Sequence, residues 1–299
     1  MKVLITGGLG FVGTNLANYL LDNGHTVIAV GRAATQNRIT SDRYQYISAD
    51  TSRPGDWQAA LGDVDVAVNL AGKSIFKRWS KSYKKEIYDS RILTTRNVVD
   101  GLPAHSTTVL CNASGAGYYG NRGDDRLKED EKPGDDFLAT LSVDWEAEAL
   151  KGTAKGIRVA LMRFGVILGK GGGALAKMIP AFKLLLGGPI GSGDQWFPWI
   201  HLTDLMAAIL FICEHPQISG PLNFCAPNPT RNRELAKALG AVLGRPAIVP
   251  APAFMVRALL GEFGNVLLDS QCTVPDRLLR HGFEFQYPDI KSAIQAVVS

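Results

Sequence analysis

The stretch Met1-Lys2-Val3-Leu4-Ile5-Thr6-Gly7-Gly8-Leu9-Gly10-Phe11-Val12-Gly13 decides the fold. A short apolar run, Val3 to Ile5, ends at Thr6; glycines follow at 7, 8, 10 and 13; an amphipathic stretch, Phe11 to Leu21, begins at once. This order predicts strand, tight turn and helix. Gly7 permits the turn, Gly10 lets a pyrophosphate approach the backbone, and Gly13 lets the helix pack close to the strand. The unpaired N–H groups and the dipole of such a helix start suit phosphate. The spacing is G-x-x-G-x-x-G, not the G-x-G-x-x-G of many dehydrogenases. An ordinary βα turn also carries glycines; the strand before and the helix after favour a nucleotide site.

Working outward, strands are expected at Thr26 to Val30, 44–48, 64–70, 107–113 and 157–163, with helices over 82–101 and 137–151. Strands alternating with helices at this spacing predict an α/β fold, a Rossmann-like doubly wound parallel sheet. From Phe164 the pattern changes. A glycine-rich loop, 169–173, precedes an apolar helix, 174–186; a second glycine-rich loop, 187–193, leads into the aromatic run Trp196 to His201. Helices at 203–214 and 231–243 flank a strand near 221–225, and the tail holds helices near 252–261, 275–281 and 289–298. The expected division is an NADP-binding domain over 1–165 and a smaller, partly interleaved substrate lobe over 166–299. Such a lobe would leave a cleft at the carboxyl ends of the strands.

The 299 residues are 46% hydrophobic and 20% charged, which argues against disorder. The 32 glycines exceed the usual share of about 7%, partly through the clusters at 7–13, 169–173 and 187–193. A net charge of +4 fits an anionic ligand but shows no nucleic-acid stripe, so no nucleic-acid partner is expected. Cys111, Cys213, Cys225 and Cys272 lie far apart, without ligand or redox spacing, so no metal is expected and the thiols suit a reducing compartment. No apolar run has the length of a membrane span. The expectation is a cytoplasmic protein with no membrane partner.

The second strand runs into Gly31-Arg32, with no acidic residue to take a ribose 2′-OH. A guanidinium there suits a 2′-phosphate, so the expected cofactor is NADP rather than NAD. The bland alternative is a surface arginine. Asp50-Thr51, after the third strand, is a weaker candidate for the adenine side.

Further segments complete a pattern: Asn69-Leu70-Ala71-Gly72, Ser90-Arg91, Gly117-Tyr118-Tyr119-Gly120, the glycine-rich run Gly187 to Gly193, and Pro198-Trp199-Ile200-His201. With the glycine turn and Gly31-Arg32, they resemble the extended short-chain dehydrogenase/reductase superfamily, and within it the atypical, nucleotide-sugar-epimerase-like subgroup, over nearly the whole chain. The resemblance implies that Gly7, Gly10, Phe11, Val12 and Gly13 meet the pyrophosphate and Arg32 the 2′-phosphate. It further implies that Leu70, Ala71 and Gly72 lie by the central ribose, and that Glu86 and Arg91 touch the cofactor. The run Gly187 to Gly193 resembles a loop that closes over substrate. Dimers built on paired helices are common in the superfamily, which makes a homodimer an expectation by analogy.

The chemistry of that superfamily uses a Tyr-x-x-x-Lys pair on one helix face and a Ser at the preceding strand end. Residues 137–148 read FLATLSVDWEAE, with neither Tyr nor Lys. Anchoring on Trp145-Glu146 places Leu138 at the Tyr position and Ser142 at the Lys position; Arg91 stands where the superfamily usually has Asn. Ser114 is the serine candidate, although counting back from Tyr119-Gly120 puts Gly115 in the slot, and a loop hydroxyl is an equal reading. Tyr119, near the sheet's carboxyl edge, is a substitute proton donor. His201 with Asp204 is another; the competing reading makes His201 structural and Asp204 a helix cap.

Two functions from different classes follow. One is an NADP-dependent oxidoreductase or epimerase acting on a small, sugar-nucleotide-like substrate without the usual pair, at a cost of ~10²–10⁴-fold for lost acid–base help. The other is a non-catalytic NADP(H) sensor or scaffold.

Overall fold

A computed structural model describes residues 1–36 and 38–298. In chain order the elements are β1 (Lys2–Thr6), α1 (Phe11–Asp22), β2 (Thr26–Gly31), β3 (Tyr44–Ser48), β4 (Val66–Asn69), α2 (Lys81–Gly101), β5 (Val109–Gly115), β6 (Arg126–Leu127), α3 (Phe137–Leu150) and β7 (Arg158–Phe164). There follow β8 (Val166–Gly169), β9 (Gly172–Gly173), α4 (Leu175–Lys183), β10 (Trp199–His201), α5 (Leu202–Glu214), β11 (Gly220–Phe224), α6 (Asn232–Leu243), α7 (Ala253–Leu260), α8 (Glu262–Val266), β12 (Cys272–Thr273), α9 (Asp276–Arg280) and α10 (Ile290–Val298).

Seven strands form one parallel sheet in the order β11-β7-β5-β4-β1-β2-β3. β1 lies between β2 and β4, so the crossovers leave it in opposite directions and open a crevice at its carboxyl end. Side chains alternate along β1 between two cores. Val3 and Ile5 join Leu16 and Leu20 of α1 and Leu205 and Ile209 of α5 on one face. Leu4 joins Ile28 of β2 and Val98 of α2 on the other. A strand buried on both faces must be apolar throughout, which is why Val3 to Ile5 reads as an unbroken run.

The expected strands and helices are present, with shifted ends. β5 starts at Val109 rather than residue 107, opposite Val66 where its neighbour β4 begins, and runs on to Gly115 beside Phe164. The apolar stretch 174–186 is helical only to Lys183; Pro180 sits within α4 and Leu185 adopts φ +62°. Invisible to periodicity were the 3₁₀ segment Asp56–Asp63 and the small sheets β10-β8-β9 and β12-β6, whose strands are too short for a pattern. β11, from the second half of the chain, pairs with β7 and completes the main sheet. A third core of Leu168, Leu175, Phe182, Trp199, Leu235, Leu239 and Ile294 holds the second half together.

Candidate functional site

The crevice at the end of β1 is a cleft of about 400 Å³, lined by Gly7, Leu9 and Gly10, by Gly31, Arg32 and Ala33, by Ala49 to Ser52, by Leu70 to Lys73, and by Ser90 and Thr94. Gly7 takes φ +69°, and a Cβ there would lie 3.0 Å from the backbone of Ala71. A Cβ on Gly13 would lie 2.4 Å from Gly7 O, so only glycine lets α1 start this close to the turn. Gly10 is the N-cap of α1 and supplies no side-chain cap, and no acidic residue stands in the first turn. The leading N–H groups of Phe11, Val12 and Gly13, which a helix leaves unpaired, are thus open to an anion.

Arg32 follows β2 on an exposed bend. Among the described residues its guanidinium makes no hydrogen bond and no ion pair, and no carboxylate follows β2 beside it. Across the cleft, Asp50 holds its carboxyl below the usual range, mainly by accepting from Ser52 Oγ (2.7 Å) and in part through the field of Arg32. The third wall is set by a buried polar chain. Thr6 Oγ1 donates to Asn69 Oδ1 (2.6 Å), and Asn69 Nδ2 donates to Asn112 Oδ1 (2.7 Å) and Thr95 Oγ1 (2.8 Å). Thr6 in turn accepts from Leu70 N and Ala71 N, which presents Leu70, Ala71 and Gly72 to the cleft.

Arg91 lies behind Gly72, where a Cβ would come within 3.1 Å of the guanidinium carbon. Its Nη1 donates to Lys73 O (3.0 Å) and Ile87 O (3.1 Å), and the group sits 5.2 Å from the Trp145 ring centre. Among the described residues no carboxylate pairs with it, and burial pulls its pKa down to about 10. Glu86 is outside the cleft wall, exposed and paired with Lys73 Nζ at 2.7 Å. Thr94, also on α2, was not singled out; with Ser90 and Arg91 it forms a polar strip one turn long, and that spacing was the available signal.

The catalytic candidates are elsewhere. Ser114 is buried and donates to Glu146 Oε1 (2.7 Å). Tyr119 has no exposed surface; its hydroxyl donates to Asn223 Oδ1 (2.7 Å) and accepts from Arg163 Nη1 (2.9 Å), and burial raises its pKa. His201 is the N-cap of α5, with Nδ1 accepting from Thr203 N (3.1 Å) and its ring 3.9 Å from that of Tyr287. Asp204 does not pair with it and instead accepts from Gln286 N and Tyr287 N. On this geometry all three candidates are committed to internal bonds and none lines the cleft. On α3, Leu138 packs against Gly117 and Ser142 is buried.

The other glycine clusters serve packing. A Cβ on Gly172 would lie 2.3 Å from the Phe11 ring, so the loop 169–173 makes room for that ring. Gly187 abuts Phe182, Gly188 abuts Val249 O and Gly193 abuts Arg233. Trp196 donates to Asp124 and lies under Arg231, while Trp199 is core.

A family model described as the NAD dependent epimerase/dehydratase family matches residues 3–223. The chain belongs to this family. A model of a domain of unknown function, DUF1731, matches residues 251–297. Within the epimerase/dehydratase family, the chain is 41% identical over 302 residues to the epimerase family protein SDR39U1 homolog, chloroplastic, of Arabidopsis thaliana, covering 100% of this chain and 87% of that one. It is 37% identical over 310 residues to human epimerase family protein SDR39U1, covering all of both. A crystal structure of the human protein (isoform 2) with NADPH superposes with a TM-score of 0.86 at 35% identity over 99% of each chain. A nucleoside-diphosphate sugar epimerase from Corynebacterium glutamicum gives 0.78 at 34% identity, over 100% of this chain and 58% of that one.

Proposed function

We propose that this chain binds NADP(H) in the glycine-lined cleft and, as an extended short-chain dehydrogenase/reductase, runs oxidoreductase or epimerase-like chemistry on a small, sugar-nucleotide-like substrate. The observation that carries the cofactor is the unpartnered Arg32 guanidinium after β2, where an NAD enzyme places a carboxylate. The leading N–H groups of α1 would take the pyrophosphate, and Leu70 to Gly72 would border the central ribose. The human relative's NADPH complex supports the same reading. Bound NADP(H) supplies hydride exchange at its nicotinamide. The chain's part is to bind and orient, since α3 brings neither Tyr nor Lys to the site.

That missing pair, with Ser114, Tyr119 and His201 locked inside, favours a second reading: a non-catalytic NADP(H) sensor or scaffold. The four free cysteines fit a reducing compartment such as the cytoplasm, and no helix among the described residues is long and apolar enough to cross a membrane.

Calorimetric titration with NADP, NADPH and NAD, beside an Arg32→Ala variant, tests the cofactor. Tight NADP(H) binding, weak NAD binding and loss of the difference in the variant are expected; no dinucleotide binding at all would overturn the reading. Hydride exchange against a carbonyl panel then separates enzyme from sensor.

A further inference from the structure

Away from the cleft, one face of the second half is apolar and cationic at once. Leu184, Leu185 and Leu186 follow α4 and are 70%, 52% and 62% exposed. Leu185 is held at φ +62°, a conformation that L side chains adopt at a cost. Backbone bonds from Val249 N to Gly187 O and from Ala251 N to Pro189 O then zip this loop to a second one. That pairing sets Ile248, 77% exposed, and Val249 beside the leucines. α7 follows directly and is inverted: Phe254, Met255 and Leu259 face solvent, and only Val256 is buried. An exposed apolar surface of this extent marks a contact site.

Within the two segments that carry it, the charge has one sign. Residues 170–193 and 235–261 contain no Asp or Glu. Their cations Lys177, Lys183, Lys237, Arg245 and Arg257 are all exposed, and none forms an ion pair among the described residues; Lys170 lies on the β8–β9 turn beside Phe11 and is not part of this face. Two copies meeting through this face would set cation against cation, which disfavours self-association. Bulky apolar side chains on a turn and a short helix, ringed by Lys and Arg, are the composition of a helix and loop lying in a lipid headgroup layer.

We propose that this face docks on an anionic lipid surface, with Leu184, Leu186, Ile248, Phe254 and Leu259 entering the acyl boundary and the five cations meeting headgroup phosphates. The contact is peripheral, and it reverses the expectation of no membrane partner, which rested on the lack of a spanning segment.

The test is co-sedimentation of the full chain with vesicles of phosphatidylcholine, with or without phosphatidylglycerol. Binding to the anionic vesicles, weakened by salt, is expected. Leu184→Glu with Leu259→Glu should lower partitioning at least about tenfold, while Leu279→Glu, on α9, should not. Lys177→Glu with Lys183→Glu gives a second variant that leaves the apolar packing alone, and thermal melting checks that each folds. No sedimentation above the vesicle-free control, or partitioning indifferent to both double variants, would overturn the proposal. A concentration-dependent dimer dissolved by the leucine variant would overturn it in favour of a second copy, and tighter binding to polyglutamate than to vesicles in favour of an acidic protein.

Discussion

Arg163 and Glu146 form a two-bonded ion pair inside the molecule, Nε to Oε1 and Nη2 to Oε2, both at 2.8 Å, with side-chain exposures of 3% and 7%. The pair ties β7 to α3. Nη1 of the same guanidinium donates to the Tyr119 hydroxyl and Glu129 O, and Oε1 of the carboxylate also accepts a hydrogen bond from Ser114 Oγ. Two groups that look reactive in the sequence, Ser114 and Tyr119, thereby help to fix the carboxyl ends of β5 and β7 against α3.

Removing one partner strands a buried charge. Arg163→Met should cost about 3–5 kcal/mol, read as a drop in the urea midpoint at unchanged slope. Adding Glu146→Leu should recover part of that loss, because the uncompensated carboxylate goes too. Additive losses in the double variant would show that the two groups are not coupled.

Tyr119→Phe tests the same network from the other side. The ring stays packed, but Asn223 Oδ1 loses its donor and Arg163 Nη1 an acceptor. The expected cost is about 1–3 kcal/mol, with NADP(H) affinity and any hydride exchange unchanged. An intact stability with abolished turnover would return the hydroxyl to the catalytic list.

The sheet was legible because its signals are local: apolar runs of strand length, helical periodicity, and glycines where α1 meets β1. The lining of the cleft was legible for the same reason, since Gly7 and Gly10, Arg32 and Leu70 to Gly72 each closely follow a strand. The partners of Ser114 and Tyr119 could not be read, because they are distant in sequence. Glu146 is 32 residues from Ser114 and Asn223 is 104 from Tyr119, and no spacing rule links such pairs. The use of the glycines at 169–173 was hidden for a related reason: the Phe11 ring they admit belongs to the first helix, far back in the sequence.

Gly13→Ala should damage fold and site together. The new methyl would lie 2.4 Å from Gly7 O and 2.8 Å from Gly8 Cα, backbone atoms that cannot swing aside. α1 must then back away from β1, at a cost of about 1–3 kcal/mol, and its leading N–H groups move off the cleft. Calorimetry should show NADP(H) affinity lost in a protein that still melts cooperatively. Unchanged affinity would place the pyrophosphate elsewhere.

His201 should make the fold acid-sensitive. Burial lowers its pKa to about 4 from an ordinary 6.5, so the imidazole is neutral in the folded chain, with Nδ1 free to accept from Thr203 N. Between those two pH values the unfolded chain binds the proton and the folded chain does not. Stability therefore falls as pH drops from about 6.5 toward 4, by roughly 1–3 kcal/mol from this group. Below that the ring protonates in place, Nδ1 becomes a donor facing a donor, and the α5 cap breaks. Asp204, whose carboxyl is pushed up by burial, acts with the opposite sign, so the informative quantity is the difference between the native chain and His201→Asn. Asparagine keeps an N-cap acceptor but cannot titrate. Urea midpoints measured from pH 7 to pH 4 should fall less steeply in the variant; parallel curves would mean that His201 does not carry the acid response.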